Sequence, residues 1–364
     1  MTAVPLSIAK QGYFFVGGHY EETAEGRVLT GQMYVEFQIP AKQTWPHPIV
    51  MIHGGFQTGT NYTGTPDGRD GWAQYFLRAG AAVYVVDTVG RGRSAGNTAA
   101  YGEMTPPRMA FAAERFIAPA RAKQWPQAHL HTQFPGSGES GDAAFDEFFA
   151  SQVSSIADFP KQQALNAAAG AALLDRIGPA ILVTHSQAGT FGWLIADRRP
   201  GLVKAIVAVE PNGPPAHDAE FLGSPNWFED HPTVKAGGLC HAALTYDPPL
   251  AADEQLAFVC EREAQGPGLM RCWRQAEPAR KLTHLAGVPV LILTGEASYH
   301  APYDHCTAQY LEQAGVPNTF IRLTDRNIRG NGHMMMIENN SDEIARVMAD
   351  WLDKAVGPHR KRAR

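Results

Sequence analysis

Short runs of apolar, often β-branched residues recur along the chain and alternate with longer stretches of helical periodicity. Runs that are apolar at nearly every position are typical of parallel strands buried on both faces. Six such strands are predicted at 48–53, 82–87, 180–185, 204–210, 288–294 and 319–323, and five helices at 71–78, 161–177, 189–197, 303–314 and 342–356. Two earlier segments, 12–16 and 32–39, alternate like an antiparallel edge pair. The pattern predicts an α/β fold, with a mostly parallel, doubly wound sheet and helices on both faces.

Two long stretches, 97–160 and 212–285, interrupt this alternation, and both are rich in aromatic residues. Insertions that follow the carboxyl ends of strands lie over the place where open α/β sheets bind ligands. We therefore interpret both as a cap over the site; surface decoration with small cores of its own is the alternative. The predicted organisation is a core formed by 1–96, 161–211 and 286–356, cap insertions at 97–160 and 212–285, and a basic tail at 357–364.

Composition and charge narrow the class of protein. The 364 residues include 17 Phe and 7 Trp and are only 18% charged, which excludes a disordered chain and predicts a large buried core. The net charge is −5, but residues 354–364 carry five of the 31 basic residues and no acid, which leaves −10 on the rest. An acidic body argues against nucleic acid as the main partner. We interpret the basic end as a solvated terminus; contact with phosphate or anionic lipid is the alternative.

Neither a membrane segment nor a secretory signal is recognisable in the sequence. No apolar run approaches the roughly 18 residues that a bilayer span requires, and the first 15 residues lack the charged-then-apolar plan of a signal peptide. We therefore predict a cytoplasmic protein, with export of a processed form left open. The four cysteines are interpreted as free, mostly buried thiols, with one local bridge within 240–272 as the alternative if the chain is exported; they are Cys240, Cys260, Cys272 and Cys306.

A serine lies between the third predicted core strand and the next helix, in the sequence THSQAG at 184–189. A strand that turns sharply into a helix holds such a serine in a strained conformation, and small neighbours prevent clashes there. The helix N-terminus places backbone N–H groups and a partial positive charge beside the serine oxygen. We interpret Ser186 as a candidate nucleophile, although Thr184 replaces the first glycine of the pattern G-x-S-x-G. A simple N-cap of the following helix is the alternative.

A glycine-rich loop, HGGF at 53–56, follows the first predicted core strand. Acyl transfer needs two hydrogen-bond donors aimed at the oxygen that becomes negative in the tetrahedral intermediate. We predict that the backbone N–H of Gln187 supplies one donor and that of Gly55 or Phe56 the other. A glycine turn without a donor role is the alternative.

The candidate general base is His333, which lies after the last predicted strand and just ahead of the C-terminal helix. A base must be held within hydrogen-bond reach of the serine, and the histidines of the two insertions are less favourably placed. The carboxylate that orients this base is predicted to be Glu210, since a charge that closes such an apolar strand is costly to bury unless it is paired. Asp304 and Glu296 are the alternatives for this acid.

These motifs together resemble the α/β-hydrolase superfamily, and more closely its bacterial serine-esterase branch, which takes the acid of its triad from after the sixth strand. The usual place of that acid follows the next strand, where this chain has Ser298, which cannot serve. The resemblance implies Ser186 as nucleophile, Glu210 as acid and His333 as base, with neither a cofactor nor a metal. It spans nearly the whole chain, through the segments 11–18, 31–40, 48–72, 82–96, 184–189, 209–215 and 330–336.

Two further patterns are weaker. The sequence GRGRSA at 90–95 matches the dinucleotide fingerprint GxGxxA, but no acidic residue closes a next strand about twenty residues on. We interpret it as a structural D-x-x-G-x-G-x-S loop. His300, Asp304 and His305 are candidate metal ligands that lack a further ligand at diagnostic spacing.

The predicted function is hydrolysis of a carboxylic ester or lactone with a largely apolar acyl or alcohol part, through an acyl-enzyme on Ser186. Aromatic residues favour an apolar pocket, and Tyr62, Trp72 and Tyr299 are predicted to line it. Amide hydrolysis, carbon–carbon bond hydrolysis and lyase chemistry on the same triad are alternatives, as is a non-catalytic binding protein of the same fold. A small-molecule substrate is the predicted partner, without nucleic acid or a membrane span, and a homodimer is left open.

Overall fold

An eight-stranded sheet runs through the centre of the protein in the computed structural model, which describes residues 5–24, 26–94, 96–251 and 254–357. Its strands are β1 Ile8–Thr23, β2 Gly26–Pro40, β3 Ile49–Ile52, β4 Val83–Asp87, β5 Ala180–His185, β6 Val203–Val209, β7 Val290–Thr294 and β8 Asn318–Arg322. Their order across the sheet is β1-β2-β4-β3-β5-β6-β7-β8. β2 pairs antiparallel with both β1 and β4, and the other pairs are parallel. This confirms the predicted fold class.

Five helices cover the two faces of the sheet: α1 Trp72–Arg78, α2 Phe159–Ile177, α3 Ala188–Arg198, α4 Asp304–Gln313 and α5 Ser341–Ala355. Helices α2, α3 and α4 share one hydrophobic core, and α1 and α5 share the other. Alternate residues of β3 divide between these cores, with Val50 and Ile52 in the first and Ile49 and Met51 in the second. Because successive side chains of a strand point to opposite faces, a strand buried on both faces is apolar throughout, as the sequence pattern predicted.

The predicted strand and helix limits lie close to the observed ones, and the largest differences have local causes. The strand predicted from 288 begins at Val290, because Pro289 has no N–H to donate to a ladder. The edge pair extends well beyond its alternating segments and pairs from Ile8 with Pro40 to Thr23 with Gly26. The part of the hairpin beyond the pairing with β4 projects past the sheet, where Tyr20 is 66% exposed.

Short elements fill the two stretches predicted as insertions. The first contains Thr98–Tyr101, Met109–Ala112, the π-helical turn Ala113–Ile117, Pro119–Ala122, Ala128–Leu130 and Ala143–Ala150, with a small ladder between Met104–Thr105 and Ser155–Ile156. The second contains two antiparallel pairs, His217–Phe221 with Phe228–Val234 and Phe258–Cys260 with Trp273–Gln275. The remaining short helices are Thr60–Thr63, Gly92–Ser94 and Leu323–Arg326.

The two insertions contact each other above the carboxyl edge of the sheet. The Trp125 ring of the first lies 5.6 Å from the Phe221 ring of the second, and the Arg115 guanidinium lies 4.3 Å above Phe221. Both aromatic rings also contact Tyr299, in the loop between β7 and α4. Of the predicted basic tail, all but Gly357 lies outside the described residues. None of the helices in the described part of the chain is long and apolar enough to cross a bilayer.

A disulfide joins Cys272 to Cys306, with 5.1 Å between the Cα atoms. The prediction of free thiols was wrong for these two, and the bridge does not lie within 240–272 as the alternative supposed. Packing of α4 against the strand Trp273–Gln275 brings the distant Cys306 into reach. Cys240 and Cys260 are free, the first buried and the second half-buried.

Replacing Cys272 and Cys306 together by Ala is expected to destabilise the protein by on the order of 3–4 kcal/mol. A bridge between residues 34 positions apart removes loop-closure entropy from the unfolded chain. Urea unfolding of the wild-type and double variant measures the difference, with Cys260→Ala as the control because this thiol is free. Equal midpoints for wild-type and double variant would contradict the pairing.

Candidate active site

Ser186 forms a sharp turn between β5 and α3, with a φ of +55° that a residue other than glycine rarely adopts. Neighbouring chain segments approach closely here. A Cβ on Gly54 would lie 2.9 Å from the Ser186 Cβ, and one on Gly189 would lie 2.5 Å from Pro211. Thr184, which departs from the glycine of the usual motif, packs against Gly192 on α3, where a Cβ would lie 3.0 Å from the threonine methyl. Gly192, one helical turn after Gly189, therefore provides the space that the Thr184 side chain needs.

Glu210 and His333 form a buried pair beside this turn. The His333 Nδ1 lies 2.5 Å from Glu210 Oε2, and both side chains are 0% exposed. Glu210 also accepts hydrogen bonds from the Gly295 N–H at 2.7 Å and from the Ser298 hydroxyl at 2.6 Å. With Nδ1 donating to the carboxylate, His333 Nε2 is left as the basic nitrogen. Ser298, at the position where the resemblance would otherwise place the acid, thus donates to Glu210 instead.

Burial and neighbouring charges shift the pKa values of this pair. Burial raises the pKa of Glu210 well above its ordinary value, and the Asp304 carboxylate raises it further, against the hydrogen bonds from Ser298 and Gly295. Burial lowers the pKa of His333 well below its ordinary value, and the neighbouring His185 and His300 lower it further. His333 is therefore neutral at physiological pH, which is the form that can accept a proton.

The Tyr299 hydroxyl contacts both the serine and the histidine. It lies 3.3 Å from His333 Nε2, and the Ser186 hydroxyl is near enough to lower the pKa of Tyr299 against the effect of burial. The His333 ring is enclosed by other rings, with centroids at 4.4 Å for His185, 4.8 Å for His300 and 5.2 Å for Phe116. The packing fixes the orientation of the imidazole, so that its Nε2 faces the Tyr299 hydroxyl.

The two alternative acids have other partners. Asp304 accepts from Thr294 at 2.5 Å and lies 2.8 Å from His300 Nδ1. Glu296 pairs with Arg329 at 2.8 Å and accepts from the Gly330 N–H. The structure therefore brings Glu210, and neither of these carboxylates, against His333. His300 and Asp304 form a second buried pair that was not predicted, and the His300 ring stacks on His333. The spacing of four between them, which ends at the first residue of α4, was the available signal.

The three residues predicted for the oxyanion hole lie together on the cavity beside Ser186. Within the described ranges, the backbone N–H groups of Gly55, Phe56 and Gln187 donate to no protein acceptor. Phe56 has a φ of +62°, which turns the chain after the glycine pair. These N–H groups are available to an anion at Ser186.

The cavity at Ser186 has a volume of about 230 Å³. Its apolar walls are mainly aromatic, and Asp218 and His241 lie among its polar groups. Of the three predicted wall residues only Tyr299 lines it. Tyr62 and Trp72 are fully buried in the core, where the Tyr62 hydroxyl donates to the Ile52 carbonyl and the Trp72 indole to that of Ser341. We therefore assign these two a packing role rather than a role in substrate binding.

Among the described residues, two groups of side chains have ligand atoms close enough for a metal ion. Glu210, His300 and His333 place theirs within 4.8 Å of one another, but both Nδ1 atoms already face carboxylates. The second group contains Cys272, Cys306 and His305, and its sulfur atoms are joined in the disulfide. The loop at 90–95 takes the predicted structural form in its described part, with the Ser94 hydroxyl donating to the Asp87 carbonyl.

Residues 49–347 match the alpha/beta hydrolase family, and the chain belongs to it. Over 350 residues it is 44% identical to a protein called a probable secreted lipase, phiG, of Fungal sp. (strain ATCC 74256), covering 94% of this chain and 89% of the relative. It is also similar to the solved structure of a novel bacterial esterase, with a TM-score of 0.66, 25% identity and coverage of 97% of this chain and 98% of that one.

Proposed function

We propose that the protein is a serine hydrolase that cleaves carboxylic esters through an acyl-enzyme on Ser186. The observation that carries this proposal is a strained serine on a cavity whose wall residue Tyr299 contacts the buried Glu210–His333 pair. The names of the relatives, a lipase and an esterase, support the same class of substrate. The cap formed by residues 97–160 and 212–285 belongs to this proposal, because both segments contribute residues to the cavity.

The reaction follows from the positions of the side chains. His333 Nε2 removes the proton of Ser186 while the serine oxygen attacks the ester carbonyl. Glu210 holds the ring through Nδ1 and stabilises the imidazolium that forms. The N–H groups of Gln187 and of Gly55 or Phe56 bind the oxyanion. His333 then gives its proton to the leaving alcohol, and water releases the acid in the second half of the cycle.

Tyr299 has a positioning role in this scheme. Its hydroxyl contacts both Ser186 and His333 Nε2 before substrate arrives. Burial raises the pKa of this phenol, and the Glu210 carboxylate raises it too, so it stays protonated throughout the working range. A neutral hydroxyl can donate a hydrogen bond to His333 Nε2 and accept one from Ser186. It can therefore keep the serine and the base close to each other.

The cavity favours a compact, apolar acyl or alcohol group. Its volume of about 230 Å³ is below the roughly 300–1,000 Å³ of sites for larger ligands. Aromatic rings of Phe56, Phe111 and Phe116 form its walls beside Ser186. Long acyl chains would extend past the half-exposed Phe159 and leave apolar surface in water.

Short-chain esters are therefore expected to be the better substrates. We expect kcat/KM for p-nitrophenyl butyrate to exceed that for the palmitate by at least about tenfold, because each methylene outside the cavity forgoes about 0.8 kcal/mol of burial. Measuring a series from two to sixteen carbons in detergent micelles, with γ-lactones and anilides beside it, also separates esters from lactones and amides. A rate that rises up to sixteen carbons, or exclusive cleavage of anilides, would contradict this substrate class.

The pH dependence of kcat/KM is expected to reflect the lowered pKa of His333. Protonation removes the base, and a lowered pKa delays that protonation to more acidic solution. Activity should therefore persist as the pH falls through about 6.5, the ordinary pKa of histidine, and be lost only below it. Stopped assays between pH 4 and 9 on a neutral ester measure this acid limb. A limb centred above pH 7 would contradict the assigned environment of the base.

The disulfide and the description of the fungal relative as secreted bear on where the protein works. Disulfides persist in oxidising compartments and are rare in the cytosol, and Cys272–Cys306 is buried within the fold. We infer an oxidising compartment in place of the cytoplasmic location predicted from the sequence. The relative's description as secreted supports this inference.

A further inference from the structure

The loop after β4 carries a buried cation beside the candidate oxyanion hole. Arg91 is 1% exposed. Its Nη1 donates to the Gly54 carbonyl at 2.7 Å, and its Nη2 donates to the Ser155 hydroxyl and to the side-chain oxygen of Gln187. The one guanidinium thus links the glycine loop after β3, the nucleophile turn and the first insertion. All three acceptors are neutral.

This arrangement is costly for folding, since a buried charge is ordinarily paired with an opposite one. Arg93, two residues away, has that ordinary environment, with Asp87 at 2.8 Å and Glu36 at 2.6 Å. Within the described chain, by contrast, Arg91 Nε has no hydrogen-bond partner. Burial lowers the pKa of Arg91 to about 9, which leaves the side chain protonated at neutral pH. Costly features of this kind concentrate at functional sites.

The contact with Gly54 determines where a neighbouring donor points. The carbonyl of Gly54 and the N–H of Gly55 belong to one planar peptide group and point in opposite directions. Arg91 holds this carbonyl together with His53, whose Nδ1 lies 2.9 Å from it. The Thr88 N–H donates to His53 Nε2, which leaves the proton of the neutral ring on Nδ1. Two donors on the carbonyl therefore fix the Gly55 N–H on the opposite side of the peptide, and Gly55 lines the cavity at Ser186.

The contact with Gln187 reaches the second donor. Gln187 follows the serine and supplies the other backbone N–H predicted for the oxyanion hole. Its side chain ends on the same nitrogen of Arg91 that binds Ser155. Rotation of the Gly54–Gly55 peptide, or displacement of the Gln187 side chain, would break a hydrogen bond to Arg91 and leave a charged group poorly satisfied.

We propose that Arg91 is a positioning residue of the oxyanion hole, which fixes the Gly54–Gly55 peptide and Gln187 relative to each other and adds positive charge beside the developing oxyanion. The inference rests on the proposed acyl transfer at Ser186. Its effect belongs to the transition state, because the substrate carbonyl carries little charge before attack. The charge acts in a buried environment, where an electrostatic interaction is stronger than in water.

The test compares Arg91→Met and Arg91→Lys with Arg93→Met as the matched control, on the full chain with p-nitrophenyl butyrate. We expect Arg91→Met to lower kcat by on the order of 10²–10³-fold with KM within about threefold. Arg91→Lys keeps the charge, but one ammonium group cannot bond both the Gly54 carbonyl and the Gln187 side chain. We therefore expect this variant to retain only part of the activity that Arg91→Met loses. Methylguanidinium added to Arg91→Ala should raise its kcat. Arg93→Met should keep kcat within about threefold.

Thermal unfolding of each variant separates catalysis from folding. Wild-type kcat in folded Arg91→Met, or a loss expressed only in KM, would overturn the inference. Should Arg91→Met fail to fold, Arg91→Lys provides the test. Wild-type kcat in that variant would refute the proposal that Arg91 must bond both the Gly54 carbonyl and Gln187. If the wild-type protein hydrolyses esters and the Arg91 variants have the same kcat, only the inference about Arg91 is contradicted. Wild-type protein that neither turns over esters nor reacts at Ser186 contradicts the proposed function itself.

Discussion

Ser186→Ala is expected to lower kcat for ester hydrolysis by on the order of 10⁴–10⁶-fold while leaving the fold intact. The hydroxyl is the proposed nucleophile, and the acyl-enzyme cannot form without it. The alanine methyl fits the space of the serine, and the turn is held by backbone bonds, from the Ser186 N–H to Val209 and from the Asn212 N–H to the Ser186 carbonyl. Initial rates and thermal unfolding measured on the same preparation check both parts of this expectation.

Ser151→Ala is the control for that variant. This serine lies in the first insertion, where its hydroxyl donates to the Phe148 carbonyl. Its removal should leave kcat unchanged within a factor of about two. Turnover by Ser186→Ala above about one hundredth of the wild-type rate would contradict the assignment of the nucleophile.

Glu210→Gln is expected to lower kcat by on the order of 10³–10⁴-fold with little change in KM. The carboxylate holds the proton of His333 on Nδ1 and stabilises the imidazolium. An amide at this position has no charge, and its NH₂ group can bond Nδ1 in the wrong tautomer. Because burial raises the pKa of Glu210, the neutral amide should be tolerated by the fold. The ratio of kcat to that of wild-type is the measurement.

The alternative acids provide matched controls for Glu210. Glu296→Gln removes a carboxylate that pairs with Arg329 and should leave kcat within about twofold. Asp304→Asn removes the partner of His300, which stacks on His333, and should lower kcat by less than about tenfold. A larger loss in Asp304→Asn than in Glu210→Gln would move the acid to Asp304.

The fold could be predicted because its central strands are buried on both faces. Such strands are apolar at nearly every position, and this pattern is recognisable in the sequence. Ser186 could be proposed as the nucleophile for a related reason, since it directly follows β5, whereas His333 was proposed because it lies between the last strand and the C-terminal helix, where the resemblance places the base. Glu210 followed from the cost of burying a charge at the end of β6, and it does contact His333. Features that depend on a strand and the residue at its end are local, and local features are visible in a sequence.

Features that depend on packing between distant segments could not be predicted. Cys306 pairs with Cys272 only because α4 packs on the second insertion. Trp72 has the same sequence signature whether it faces a cavity or the core, and only the fold places it in the core. The glycines on either side of Arg91 match a dinucleotide-binding pattern, which says nothing about the arginine itself. The contacts of Arg91 come from three segments that meet only in the folded chain.

The most direct test of the proposed acyl transfer is intact mass spectrometry after treatment with a fluorophosphonate probe, beside the Ser186→Ala variant. An activated serine attacks the phosphorus and retains the phosphonyl group, whereas an ordinary serine hydroxyl does not react. We predict a single adduct on the wild-type protein and none on the variant. Folded wild-type protein without an adduct, or an equal adduct on Ser186→Ala, would contradict Ser186 as the nucleophile.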